Sequence, residues 1–166
     1  MNNFKASYIL DENEILFLIN NHPDFKPSHP AQYLIKHYMP DYAASEGVVE
    51  GLVNKNLAKI VYGNIVIEPV IDFLAKSVLL SNALWIIESR ENDWPVFVLR
   101  SQNIYLHIRR YPLIANSWKI TPHQNKDALL DEFIGQEISA INRVDINGTQ
   151  LQLAADEANS WIKGGA

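Results

Sequence analysis

The side chains that could do chemistry in this sequence are five histidines and several neighbouring pairs of carboxylates. His22 and His29 lie in a proline-rich stretch with Asp24 between them, which is the closest the chain comes to a metal-ligand spacing. Pairs such as Asp131 and Glu132 are adjacent on a predicted helix, where neighbouring side chains point about 100° apart and do not converge on one substrate atom. We therefore predict no catalytic residue, no metal site and no cofactor, and a protein that is not an enzyme.

The glycine-rich loops that bring backbone amides close to phosphates or oxyanions are also missing from the sequence. None of the seven glycines belongs to a Gly-x-Gly-x-x-Gly, a Gly-x4-Gly-Lys-[Ser/Thr] or a Gly-x-Ser-x-Gly motif. The chain has no cysteine, which excludes disulfide scaffolds, thiol catalysis and cysteine-ligated metal centres. These absences remove the common nucleotide-binding and nucleophilic classes.

The charge balance of the chain is acidic, with 14 Lys and Arg against 19 Asp and Glu and a net charge of −5. Nucleic-acid phosphates attract basic surfaces, so this balance argues against a nucleic-acid partner. The N-terminus has no signal-peptide core, and apolar runs such as 83–87 are far shorter than the ~20 residues that span a bilayer. We predict a cytoplasmic protein without a membrane partner, folded as a single domain over residues 1–166.

The elements that must position any site fall into two subregions. Residues 1–80 are predicted to be mainly helical, starting at the capping-box sequence Asp11–Glu14 and continuing over 31–39 and 41–56. A small hairpin over 57–67 follows, and Glu68-Pro69 opens a fourth helix with proline at a tolerated early position. The order helix, helix, hairpin, helix is typical of a winged helix.

Residues 81–166 are predicted to form an antiparallel sheet with one or two helices. Short runs rich in β-branched and aromatic residues, separated by polar turns, predict a meander with strands at 83–88, 95–100, 104–109 and 116–120. A capping-box sequence at Thr121–Gln124 predicts a helix with Leu129, Leu130, Phe133 and Ile134 on one face. Asn147-Gly148 predicts a hairpin, and residues 154–162 a closing helix. The fold class is α+β: a winged-helix-like helical N-terminal half followed by an antiparallel β-meander packed with one or two helices.

Aromatic residues concentrate in the second half, and strand alternation places some of them on the outer face of the sheet. Exposed Trp and Tyr side chains resemble interface anchors, although the same residues can instead build the core between sheet and helix. The candidate partner-binding face comprises Trp94, Tyr105, His107, Arg109 and Trp118.

Several short segments of the sequence resemble a known protein family. The segments Gly51–Ala58, Gly63–Pro69 and Phe73–Ala75 resemble the N-terminal pattern of EspG-type chaperones of type VII (ESX, Ess) secretion systems of Gram-positive bacteria. In that pattern a helix end precedes a short wing, a second helix and a β-meander. The segment Ile104–Leu113 is similar to the strand and Tyr-Pro-Leu step of the same group, and the resemblance covers roughly residues 8–138.

The resemblance implies a non-enzymatic cytoplasmic chaperone or adaptor that binds a helical secretion substrate or toxin and needs no cofactor. Two alternatives stay open from the sequence. A winged-helix DNA-binding regulator would use the helix predicted over 41–56 as its recognition helix, and a toxin-neutralising (immunity) protein would have the same general features as the chaperone.

Overall fold

The computed structural model describes residues 6–39, 47–102 and 104–162, and they form a mixed α+β structure, which confirms the predicted class. The helices are α1 (Glu12–Asn20), α2 (His29–Tyr38), α3 (Val48–Asn54), α4 (Pro69–Leu79), α5 (Lys126–Leu130, extended by a 3₁₀ turn over Asp131–Phe133) and α6 (Ala155–Ile162). The strands are β1 (Tyr8–Asp11), β2 (Ala58–Val61), β3 (Asn64–Ile67), β4 (Ala83–Ser89), β5 (Val96–Ser101), β6 (Ile104–Arg110), β7 (Ser117–His123), β8 (Ile138–Asp145) and β9 (Gln150–Leu153).

Seven of these strands form one antiparallel sheet in the order β1-β7-β6-β5-β4-β8-β9, while β2 and β3 pair in a separate two-stranded ribbon. The strands predicted between residues 83 and 120 are confirmed, because β4, β5, β6 and β7 are consecutive neighbours. The predicted order of helices first and strands afterwards is not what the structure has. Strand β1 precedes α1 and pairs with β7, with Leu10 opposite Trp118.

The helices of the first half cover one face of the sheet, which we call the first face. Helix α1 packs against α3 and α4, and all three contribute to a core that includes Leu52 and Ile71. The same core contains Phe97 and Trp118 from the sheet, so its residues come from both halves of the chain.

The opposite face, the second face, is covered more sparsely. Helix α5 packs on β6 and β7, and α6 packs on β8 and β9. Leu129, Phe133 and Ala158 form a smaller buried cluster with Trp85 and Val98 of the sheet. The sheet therefore has helices on both faces, and an accessible binding site is expected at its rim or on the part of a face that no helix covers.

Several local predictions are confirmed by the side chains that form the element ends. The Asp11 carboxylate accepts a hydrogen bond from Glu14 N at 2.8 Å, and Asp11 N donates to Glu14 Oε1 at 2.9 Å, which completes the capping box of α1. Pro69 occupies the first turn of α4. The hairpin between β8 and β9 turns at Gly148, whose φ of +84° is a conformation that glycine adopts without strain.

The helix start predicted at Thr121–Gln124 is wrong. Residues up to His123 continue β7, where Thr121 lies opposite His107 and His123 opposite Tyr105. Asn125 caps α5 instead, because its side chain accepts a hydrogen bond from Ala128 N at 2.8 Å. Pairing of β7 with β6 therefore outweighs a capping sequence that is favourable only locally.

The remaining helices differ from prediction in their extent. Of the helix predicted over 41–56, the described residues are helical over Val48–Asn54, and residues 41–46 lie outside them. The helix predicted to carry Leu129, Leu130, Phe133 and Ile134 on one face ends before Ile134, which is exposed and is followed by Gly135 with a φ of +80°. The closing helix is confirmed as α6.

Candidate functional site

The five residues predicted to share one exposed face are divided between the two faces of the sheet. Trp118 is fully buried on the first face, where its ring centroid lies 5.6 Å from that of Phe97. Tyr105, His107 and Arg109 alternate with the core residues of β6 and therefore lie on the second face. His107 is only 3% exposed and Tyr105 is half-buried. The expectation of one exposed aromatic face is thus corrected, and Trp94 and Arg109 are the two exposed members.

Trp94 lies in the turn between β4 and β5, at one end of the sheet, and is 49% exposed. Between this turn and the turn joining β6 to β7 lies an open groove of about 470 Å³, which we call the strand-end groove. Its apolar surface includes the exposed Ile114. Its lining includes Trp94, Arg109, Arg110, Tyr111, Pro112 and Ile114, together with the acidic Glu91 and Asp93.

Arg110 fixes the position of the Trp94 ring. Its guanidinium carbon lies 4.7 Å from the centroid of the Trp94 ring and 5.0 Å from that of Trp118, so the cation is stacked between an exposed and a buried indole. Nη1 donates a hydrogen bond to Glu12 Oε1 at 3.1 Å, and Nη2 donates to Asn116 Oδ1 at 3.3 Å. Because Glu12 compensates its charge, Arg110 supports the groove rather than offering a free cation.

Arg109 has a different environment, although it is the neighbour of Arg110 in sequence. The register of β6 and β7 places it directly opposite Lys119, and both side chains lie on the second face. Arg109 is exposed and Lys119 half-buried. Within residues 6–39, 47–102 and 104–162, neither forms an ion pair with a carboxylate. Like charges directly opposite one another destabilise a sheet, so this basic pair has a cost in the free chain.

His107 lies next to this basic pair on β6, beneath α5 and its 3₁₀ turn. Burial lowers the pKa of His107 to about 4; the carboxylate of Glu132 opposes the shift, and the charges of His123, Arg109 and Lys119 add to it. Its ring packs against Phe133 at 5.6 Å between centroids. Nδ1 is buried without a hydrogen-bond partner in the described part of the chain.

Of the other histidines, His123 lies beside His107, with ring centroids 6.5 Å apart, whereas His22, His29 and His37 lie elsewhere in the fold. His123 Nε2 lies 3.3 Å from Glu132 Oε1, and His22 Nε2 lies 2.8 Å from Asp72 Oδ1, while the His29 ring packs against Gly148. The described residues contain no group of three or more His, Cys, Asp or Glu side chains placed to hold a metal ion.

The β2–β3 hairpin is another exposed apolar surface, separate from the strand-end groove. Tyr62 and Gly63 form its two-residue turn with φ values of +50° and +79°. The Tyr62 side chain is 99% exposed, and Ile60 and Val66 beside it are also exposed. A bulky residue in the left-handed region is strained, and because the Tyr62 side chain is fully exposed, no packing contacts offset that strain.

Sequence reasoning missed three residues of these surfaces: Arg110, Lys119 and Tyr62. The adjacent Arg109 and Arg110 lie on one predicted strand, and alternation alone would have assigned them to opposite faces. The cross-strand position of Lys119 depends on the register with β6, and the exposure of Tyr62 depends on what covers the hairpin. Neither can be taken from the pattern of residue types.

No protein-family model matches the chain, and no curated protein matches it significantly. Among the residues that the structure describes, no helix combines the length and the apolar character needed to cross a membrane.

Proposed function

We propose that this chain is a non-enzymatic cytoplasmic adaptor that binds a protein client, and that the client is a substrate of a type VII secretion system. The observation that carries the protein-binding part of the proposal is the exposed Trp94 ring at the strand-end groove, stacked on Arg110. The secretion-system client follows from the sequence resemblance over roughly residues 8–138. A large aromatic side chain fixed before binding loses little conformational entropy on association, and tryptophan is enriched among the residues that dominate interface energies.

The character of the exposed surfaces supports a protein partner over DNA. In a winged helix, basic residues of the recognition helix and wing contact phosphates. Here α3 carries Glu50, and the hairpin exposes Ile60, Tyr62 and Val66 beside a single Lys59. Apolar side chains of this kind favour contact with another protein.

The test is affinity capture from a lysate of the source organism, comparing the tagged wild type with Trp94→Ala. We expect a small helical secretion substrate at near-stoichiometric yield with the wild type. Loss of an interface anchor costs about 2 kcal/mol or more, so the variant should retain the client roughly thirtyfold less tightly.

Leu151→Ala is the matched control, because Leu151 is an exposed apolar residue on β9, at the far edge of the sheet from β1 and β7. It should capture the client as the wild type does. Capture of the client to the same extent by Trp94→Ala, or the absence of any protein client, would contradict the proposal. A captured toxin would favour the immunity alternative.

A further inference from the structure

We propose that the client segment is acidic and that its carboxylates bind to Arg109 and Lys119 on the uncovered part of the second face, an inference that rests on the proposed function. This surface adjoins the strand-end groove, and the inference states which chemical groups of the client it binds.

The first argument is the arrangement of the two cations. In an antiparallel pair, residues directly opposite have Cβ atoms about 5 Å apart, close enough for one carboxylate to contact both side chains. A guanidinium group offers a fork of donors that matches a carboxylate. Neither cation has an ion-pair partner among the described residues, so both are available to a carboxylate of a partner.

The second argument is the setting of the pair. Ile9 of β1 lies opposite Lys119, and Phe133 of the 3₁₀ turn packs on His107, two residues before Arg109 on β6. Aliphatic surface beside a cation reduces its contact with water and strengthens a charge-assisted hydrogen bond. Arg109 is exposed and Lys119 half-buried, so the pair is accessible to a carboxylate and yet partly shielded from water.

The third argument is continuity with the groove. Arg109 lines the strand-end groove as well as facing Lys119, whereas Glu91 and Asp93 line the groove along the turn before β5. A client segment is thereby oriented: its carboxylates face β6 and β7, and an apolar side chain enters beside Trp94. Acidic residues at the other side of the groove would be repelled by Glu91 and Asp93.

Overall charge favours a peptide over a nucleic acid as the occupant. The chain carries a net charge of −5, and a regular phosphate backbone would meet that repulsion over its whole length. A short acidic segment needs only the two local cations.

The test measures anisotropy of a fluorescein-labelled helical peptide made of Glu, Leu and Ala, beside the same peptide with Gln in place of Glu. We expect the Glu peptide to bind at least about tenfold more tightly than the Gln peptide, with an affinity that falls at higher salt. The double reversal Arg109→Glu with Lys119→Glu should remove this preference. The double change Lys26→Glu with Lys36→Glu alters net charge equally at exposed positions outside β6 and β7 and should preserve it.

A second variant gives a readout on the free protein. Lys119→Glu alone converts the like-charge pair into an ion pair with Arg109, so we expect a higher melting temperature together with weaker binding of the Glu peptide. A lower melting temperature combined with unchanged peptide binding would overturn the inference.

Equal affinity for the Glu and Gln peptides, no binding of the Glu peptide, or preferential binding of an oligo-dT strand would each overturn the acidic-segment inference. These outcomes leave the proposed function separately testable. If Trp94→Ala still abolishes client capture, the adaptor function stands and only the chemistry assigned to its client is wrong.

Discussion

Acidification should destabilise the fold through His107. The pKa of this buried imidazole is lowered from 6.5 to about 4, mainly by burial, so the unfolded chain binds a proton between these values that the folded chain does not. Stability therefore rises with pH across this window and is lost as the pH falls below about 6.5. At ~1.4 kcal/mol per pKa unit, the contribution of His107 to the loss is about 2 kcal/mol at pH 5 and about 3 kcal/mol at pH 4.

The assay is urea unfolding of the wild type and His107→Phe at pH 7 and pH 5. The phenylalanine does not titrate, so the difference between the two free energies of unfolding should shift by about 2 kcal/mol between the two pH values, whatever the packing cost of the substitution. His37→Gln, on the exposed side of α2, controls for removal of a histidine from the surface. Parallel pH dependences for the wild type and His107→Phe would refute the reasoning.

Two further predictions concern stability. Lys55→Met leaves the buried Glu14 carboxylate without the ammonium group that contacts it, so urea unfolding should show a loss of about 2 kcal/mol in the free energy of unfolding. This is less than for a fully buried pair because the Lys55 side chain is 36% exposed. Adding Glu14→Gln should recover part of that loss, and an unchanged free energy of unfolding in Lys55→Met would contradict a stabilising ion pair. Tyr62→Asn should raise the free energy of unfolding by about 0.5 kcal/mol, because asparagine tolerates the left-handed conformation at the hairpin turn, and a lower melting temperature would disprove this account of Tyr62.

The elements predicted well from the sequence are those whose signals are local. Asp11 and Glu14 form the capping box within one turn of helix, and the turn of the β8–β9 hairpin depends on Asn147 and Gly148, which are adjacent in sequence. Strand β1 lacks such a signal, since its four residues are ordered by pairing with β7 more than 100 positions away. The first residues of β8, from Ile138, likewise have no local signal, because they are ordered by pairing with β4.

The candidate site was predictable to a smaller extent. Alternation along β6 correctly groups Tyr105, His107 and Arg109 on one face. It does not say which face the helices cover, and this coverage buries Trp118 while leaving Trp94 exposed in a turn. Because helix placement is a tertiary property, the difference between a core indole and a surface indole is absent from the local pattern.

Two unfavourable features of the free chain lie on strand β6, close to the strand-end groove. Arg109 faces Lys119, and two residues earlier on the same strand His107 is buried with Nδ1 lacking a hydrogen-bond partner in the described residues. If this surface served only the fold, a glutamate at position 119 would pair with Arg109 and remove one cation that disfavours protonation of His107. Sequences tend to depart from local optima where function compensates the cost. A client carboxylate between the two cations would supply that compensation, which is why we place the recognition chemistry here rather than at the β2–β3 hairpin.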